Sequence, residues 1–310
     1  ERRASVPGIA PDKPGPLPRN EMMASAVAPA DRTIEVEGSG YRPEGHFRGE
    51  EGDPVDPAAD PVLEELSLAA LLCNDAGLRH SGKDWTVDGD PMEGALVSLA
   101  IKAGHDASAA RIGFPRLDEI PFDSRHRYMA TLNARTGHAP VAYVKGAPER
   151  ILAMCTHIAS LDGVRRLDAE AWHRRVDRLA AAGQRVIALA RRTMTDDVRE
   201  IAPSDIAHGL TLLGMVGLID PPRPEAIDAI AECKTAGIRV KMITGDHAAT
   251  ARAIAIQLGL ADDPKTITGQ QLDALEDAGF RKHAREATVF ARTSPEHKLR
   301  LVETLQSDGS

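Results

Sequence analysis

The run Val240-Lys241-Met242-Ile243-Thr244-Gly245-Asp246-His247 decides how the second half of the chain is read. Apolar and β-branched residues form a short strand that ends in a hydroxyl, a glycine and a carboxylate, and the pattern from Ala248 onward is helical. Glycine lets the backbone come close to a ligand. The Thr244 hydroxyl can bond a phosphoryl oxygen, and the free N–H groups of the next helix face negative charge. Around this corner strand and helix alternate: strand Leu212 to Leu218, helix Pro224 to Thr235, strand Arg239 to Ile243, helix Ala248 to Leu258, strand Thr288 to Ala291 and helix Pro295 to Gln306. Such alternation predicts a parallel, doubly wound sheet with ligands at the carboxyl ends of its strands.

The first half reads differently. Pro7, Pro11, Pro14, Pro16 and Pro18 exclude a central strand from the first twenty residues. Thr33-Ile34-Glu35-Val36 predicts one strand followed by a loop, and Leu63 to Asn74 a helix. Asp90-Pro91-Met92-Glu93-Gly94-Ala95-Leu96 opens another helix, with Asp90 as its cap and proline in the first turn. Asp118 to Tyr143 predicts two strands around a polar turn, and Pro148 starts a helix that runs to Met154. A helix from Ala169 to Ala182 ends at Gly183, before a strand from Arg185 to Ala190.

Composition narrows the function classes. A chain of 310 residues with 42% apolar content can bury two ordinary cores, and with only 3% aromatics those cores must be aliphatic. Any aromatic beside a candidate ligand site is therefore informative. A net charge of −8 without a basic run argues against a nucleic-acid surface. Cys73, Cys155 and Cys233 lie far apart in apolar or helical settings, which predicts reduced core thiols. The histidines lack metal-ligand spacing, and no Walker A or dinucleotide glycine pattern is present. No apolar run approaches the roughly 20 residues of a membrane helix, so the chain is expected to be soluble.

Four motifs carry chemistry in combination. Lys145-Gly146-Ala147-Pro148-Glu149-Arg150 puts a lysine beside a glycine at a strand end, where a purine or phosphate can approach. Asp220-Pro221-Pro222-Arg223 turns the chain rigidly after a strand; by itself it also reads as a capped helix start. Thr244-Gly245-Asp246-His247 and Ser294-Pro295-Glu296-His297-Lys298 complete the series. In that order they resemble the cytoplasmic part of a P-type cation-transporting ATPase, and the resemblance runs from about Asp12 to Gln306.

The resemblance implies an α/β fold. An incomplete haloacid-dehalogenase-like parallel sheet would carry an inserted α+β nucleotide-binding domain built on an antiparallel sheet. Residues 1–25 would be an N-terminal piece of the phosphorylation domain, expected to be disordered. Residues 26–205 would be the nucleotide-binding domain, and 206–310 a truncated C-terminal part of the phosphorylation domain. ATP and Mg²⁺ are the implied cofactors. The implied partners are the membrane and actuator domains of the same pump, at the cytoplasmic face of a membrane, and the fragment is expected to be a monomer that binds ATP without turning it over. Leu72-Cys73-Asn74-Asp75-Ala76 and the Asp220 motif lean toward calcium-type pumps.

The site roles come from the same resemblance. Asp12 and Lys13 match the phosphorylation motif, with Asp12 as nucleophile and Mg²⁺ ligand by position. Thr244, Gly245, Asp246 and Lys298 match residues that handle the transferred phosphoryl group, where a lysine neutralises its charge. Phe122 in Pro121-Phe122-Asp123-Ser124 matches an aromatic that stacks on adenine, with Arg125 and Arg127 supplying cations; a plain core role for Phe122 stays open. Glu93 matches the acid that accepts from the adenine amino group, with Met92 where threonine is usual. Lys145 and Gly146 match the purine edge. Arg185 matches an arginine on nucleotide phosphate, and Asp220 and Arg223 complete the nucleotide set. At Pro14, Pro16 and Pro18 the chain departs from the family. Those prolines replace three threonines and remove N–H groups and hydroxyls that phosphate and Mg²⁺ would use, so phosphorylation of Asp12 in this chain is in question. A nucleotide-binding or regulatory module without turnover and a soluble haloacid-dehalogenase-like phosphatase are the alternatives.

Overall fold

The structure, a computed structural model, describes residues 21–38, 40–82, 84–220, 222–244 and 248–307. It divides into two compact units: one spans 21–179 and 184–219, and the other holds 220 onward together with 180–183.

The first unit is built on one large sheet. Its elements are β1 (Met23–Ala28), β2 (Ile34–Val36), β3 (Phe47–Arg48), β4 (Pro54–Val55), α1 (Pro61–Leu72), β5 (Gly77–Ser81), β6 (Asp84–Asp88), α2 (Pro91–Lys102), α3 (Ala107–Gly113), β7 (Arg116–Asp123), β8 (Tyr128–Arg135), β9 (His138–Gly146), α4 (Pro148–Met154), β10 (Cys155–Ser160), β11 (Gly163–Arg166), α5 (Ala169–Ala181), β12 (Arg185–Thr193) and β13 (Leu210–Ile219). The main path runs β4-β3-β2-β1-β13-β12-β9-β8-β7 with antiparallel neighbours throughout. Alternation along each strand sorts side chains to two faces. Met129, Tyr143, Leu189 and Val216 pack with α1 and α2, and Tyr128, Ala130, Val144, Ala188 and Met215 pack with α4 and α5.

Helices α1 and α2 start alike. In each, an aspartate before the proline caps two backbone N–H groups: Asp60 accepts from Val62 and Leu63, and Asp90 from Met92 and Glu93. Both helices are apolar nearly all round, because their outer sides are covered in turn. Leu71, Val97 and Ala100 pack with Leu78 of the β5–β6 hairpin and with Ala107 and Ala110 of α3. Gly94 permits that closeness, since a Cβ there would fall 1.8 Å from Val87 Cγ2.

The second unit holds α6 (Pro224–Thr235), β14 (Met242–Ile243), α7 (Ala248–Gln257), β15 (Thr266–Thr268), α8 (Gly269–Asp273), α9 (Asp277–Glu286), β16 (Val289–Ala291) and α10 (Pro295–Ser307). Its strands form a three-stranded parallel sheet in the order β14-β16-β15. Val289 and Ala291 pack with α6 and α7 on one face, and Phe290 packs with Phe280 of α9 and Leu301 of α10 on the other. No helix among the described residues is long and apolar enough to cross a membrane.

Three expectations need correction. The strand from Leu212 to Leu218 belongs to the antiparallel sheet, between β1 and β12, and not to the alternating parallel half. Both faces of β13 are buried, so its apolar run reads like a parallel core strand. Residues 23–25, grouped by sequence with the N-terminal piece, lie in β1, and Met23 and Ala24 pair with Ile219 and Leu218. The two strands expected between Asp118 and Tyr143 are three, because a tight turn at Thr136-Gly137 separates β8 from β9.

Leu66 is fully buried on α1 against the sheet. Leu66→Ala is expected to lower unfolding free energy by about 2–5 kcal/mol. Denaturant titration followed by fluorescence of the buried Trp172 measures this, and a loss below about 1 kcal/mol would contradict the packing described.

Candidate functional site

Lys145 sits near the end of β9, flanked by Met129 on β8 and Leu189 on β12, and its side chain shares their face under α1 and α2. It is buried, at 7% exposure. A buried ammonium needs a partner, and Glu93 in the first turn of α2 supplies one, with Nζ to Oε1 at 2.5 Å. The second Glu93 oxygen accepts from the Asp75 N–H at 3.2 Å.

Glu93 is itself held in place. Asn74, also buried, donates to the Glu93 carbonyl at 2.9 Å and to the Ala70 carbonyl at 3.0 Å, while its own oxygen accepts from the Ala76 N–H. One side chain thus ties the end of α1 to the start of α2. Arg116 clamps the same loop from β7, donating to the Leu72 and Asn74 carbonyls and to Asp75 Oδ1. Leu72-Cys73-Asn74-Asp75-Ala76, to which sequence reasoning assigned no chemistry, therefore positions Glu93. Cys73 in its middle is fully buried, and desolvation pushes its thiol up.

Past Lys145 the chain turns tightly. A Cβ on Gly146 would meet the Arg127 carbonyl oxygen at 2.4 Å and Tyr128 Cα at 2.8 Å, so the β8–β9 approach excludes a side chain there. Arg127 adopts a left-handed backbone, φ 59°, and its carbonyl accepts from the Ala147 N–H at 3.0 Å. Its guanidinium pairs with Glu149 at 2.8 Å, and both groups are about half exposed. Arg125 is taken up by Asp123, whose carboxyl it holds below the usual range. Phe122, on β7, is 63% exposed. Arg185 opens β12 on the Lys145 face, four residues before Leu189, and its Nη1 meets the Met92 thioether at 3.3 Å. Met92, Glu93, Lys145 and Arg185 thereby share one side of the sheet.

In the second unit, Thr244 directly follows β14. Its N–H donates to the Phe290 carbonyl, and its own carbonyl accepts from the Thr293 N–H at 3.2 Å and from the Thr293 hydroxyl at 3.0 Å. That brings the carboxyl ends of β14 and β16 together, next to the Ser294 motif. Lys298 follows one turn into α10, donating its N–H to the Ser294 carbonyl. His297 Nδ1 accepts from the Ser294 N–H at 3.0 Å, so the ring proton lies on Nε2, which donates to Asp273 at 2.7 Å. Sequence reasoning missed Thr293 and Asp273; the capping box from Thr268 to Gln271 marks the helix that presents Asp273. Asp220 directly follows β13, and Arg223 is the N-cap residue of α6. Asp12, Lys13, Gly245 and Asp246 lie outside the described residues. Among the described residues no group of three or more His, Cys, Asp or Glu is arranged to hold a metal ion.

The sequence pattern of the family described as P-type ATPase, cytoplasmic domain N, matches residues 62–225. The chain belongs to the P-type cation-transporting ATPases. It is 43% identical over its whole length to the cation-transporting ATPase pma1 of Synechocystis sp., 35% of which it covers. It is also 34% identical to a calcium-transporting ATPase of Bacillus subtilis and 33% identical to the human calcium-transporting ATPase type 2C member 1, in each case over 97% of the chain, covering 34% and 32% of those proteins. The chain thus spans about a third of the length of these P-type ATPases. The family match takes in Glu93, Phe122, Arg127, Lys145, Gly146, Arg185, Asp220 and Arg223, while Thr244 and Lys298 lie beyond it.

Glu93→Ala in this P-type ATPase chain leaves the Lys145 ammonium buried without its carboxylate and is expected to cost about 3–5 kcal/mol of stability. Adding Lys145→Met should restore much of that loss. Equilibrium unfolding of the two single variants and the double variant measures the coupling; strictly additive losses would show that the pair is not a unit.

Proposed function

We propose that the first unit binds ATP with Mg²⁺, as the nucleotide-binding domain of a cation pump, and that residues of the second unit belong to a haloacid-dehalogenase-like phosphorylation domain. The observation that carries this reading is an exposed phenylalanine beside a buried, braced lysine–glutamate pair. Phe122 lies two strands from Lys145, roughly 10 Å across the sheet by ordinary strand spacing. Its open ring offers a stacking platform for a purine, and Glu93 offers a carboxylate fixed at one oxygen by Lys145 and at the other by a backbone N–H. Gly146 admits a flat base close to the backbone. Arg185, whose guanidinium meets the Met92 thioether, supplies positive charge for phosphate, and Arg127 can do so by leaving its half-exposed pair with Glu149.

ATP supplies the phosphoryl group and Mg²⁺ neutralises part of its charge. Thr244 and Lys298 would stabilise charge on that group, with Gly245 and Asp246 alongside and Asp12, beside Lys13, as acceptor; Asp220 and Arg223 would complete the nucleotide set at the entry to the second unit. The Thr244–Thr293 bonds support this reading by fixing two neighbouring strand ends. The nucleotide-binding role falls to the first unit, which takes in β1 and β13 beyond the expected bounds 26–205, and the phosphorylation role to residues of the second unit. With the membrane and actuator domains of the same protein, such a unit would couple an aspartyl phosphate to cation movement; some of its relatives are named calcium-transporting and others only cation-transporting.

Calorimetric titration of the chain with Mg·ATP is expected to give a dissociation constant of about 0.1–1 mM, or roughly 4–5.5 kcal/mol. Phe122→Ala removes an exposed ring without disturbing the core and should weaken binding about tenfold, in line with roughly 1–3 kcal/mol per stacked base. Unchanged affinity in that variant would rule Phe122 out of the site.

A further inference from the structure

We propose that a basic cleft at the amino-terminal edge of the three-stranded parallel sheet binds a multiply charged phosphate group, presented by a free phosphate compound or by a lipid headgroup. The cleft has a volume of about 540 Å³ and is lined by Lys234, Arg239, Lys241, Lys265 and Arg285, with Glu286 as the single acid among the described lining residues. In a chain of net charge −8, five cations around one cavity are out of proportion. The cleft is built from residues that lead into the strands: Lys241 precedes β14, Lys265 precedes β15 and Thr288 precedes β16. It therefore opens at the end of the sheet opposite to Thr244 and Thr293, and it is separate from the phosphate corner proposed above.

Lys241 is the fixed point. Its ammonium donates to the Arg285 carbonyl at 2.9 Å and the Ala287 carbonyl at 2.7 Å, and it lies 5.8 Å from the Phe290 ring centre. Two of its three donors are thus committed to backbone, which holds the charge in place and leaves one donor for a ligand. Burial first, and the nearby Arg239 charge second, push this ammonium down to about 8. The one acid is already engaged, by Lys265 at 3.4 Å, and that lysine remains 70% exposed. A cavity of this size falls within the ordinary range for small ligands, and the five cations in its lining, set among Ile238, Val240 and Leu260, favour an anion with several oxygens.

Two probes and one variant test the proposal on the whole chain. Inorganic pyrophosphate is titrated calorimetrically at low ionic strength, and co-sedimentation is measured with phosphatidylcholine vesicles with and without phosphatidic acid. The variant Arg239→Gln/Lys265→Gln changes two exposed residues, and Arg165→Gln/Arg166→Gln, on the exposed β11, carries the same charge change as a control. Circular dichroism and Mg·ATP titration verify that both remain folded, so loss of nucleotide binding is seen separately from loss at the cleft. The expected result is a weakening of at least about tenfold in the cleft variant and none in the control. If pyrophosphate shows that difference, the site takes a free phosphate compound; if only phosphatidic acid vesicles show it, the site takes a lipid headgroup. Equal binding by the chain and the cleft variant, or no binding of either probe, overturns the proposal.

Discussion

The first unit depends on where one ammonium is allowed to be. Lys145 lies on a sheet face otherwise made of Met129, Tyr143, Leu189 and Val216, under two nearly apolar helices. A charge there is tolerated only because the first turn of α2 brings Glu93 to it. The pair consequently links the register of β9 to the position of α2. Shifting β9 by one residue would turn Lys145 to the other face, among Tyr128, Ala130, Leu152 and Ala188. Asn74, Asp75 and Arg116 serve the same constraint, since each fixes the loop against which Glu93 rests. Stability and the proposed nucleotide site thus meet in one interaction: the carboxylate proposed to meet the base is the carboxylate that keeps the lysine paired.

Against that fixed pair, Phe122 stands out by its surroundings. The chain has five phenylalanines. Phe47, Phe280 and Phe290 are buried and Phe114 packs against the core, whereas Phe122 leaves 63% of its surface open. In a sequence this poor in aromatics, a large ring kept at the surface of the strand next to Tyr128 is unused for packing. The three arginines considered for phosphate differ in their partners. Arg125 is committed to Asp123 by several hydrogen bonds, Arg127 to Glu149 through one exposed pair, and Arg185 to a thioether. Their partners rank Arg185 as the most available of the three.

Much of this was legible in the sequence where a local rule decides the structure. Proline at a first turn marked α2, α4 and α6, and two of those helices end at the residues the pattern predicted. Glu93, Lys145 and Gly146 were each singled out from their motifs. Their contact was not readable, because 52 residues separate Glu93 from Lys145 and only the sheet brings them together. The same limit explains β13. An apolar run buried on both faces has no period, so pairing, which is non-local, decides whether it joins an antiparallel or a parallel sheet. Short elements such as β5, β6, β10, β11 and α3 were missed because they are exposed or brief and carry weak periodicity.

Polarity is the remaining lesson, and the second unit shows it. In a parallel sheet every strand runs the same way, so its two ends expose different chemistry. At the carboxyl end the chain uses hydroxyls and backbone: Thr293 bonds the Thr244 carbonyl twice, and Ser294 and His297 close the next turn. At the amino end it uses lysine and arginine, with Lys241 satisfying carbonyls that the helix end at Arg285 and the strand entry at Ala287 leave open. That structural duty explains one cation. It does not explain Lys234, Arg239 and Lys265 around the same cavity, because the first and last turns of a helix and the entry to a strand can be satisfied without them. An excess of charge beyond what the backbone requires, gathered at the end of the sheet away from the proposed phosphate corner, is the pattern the proposed anion would produce.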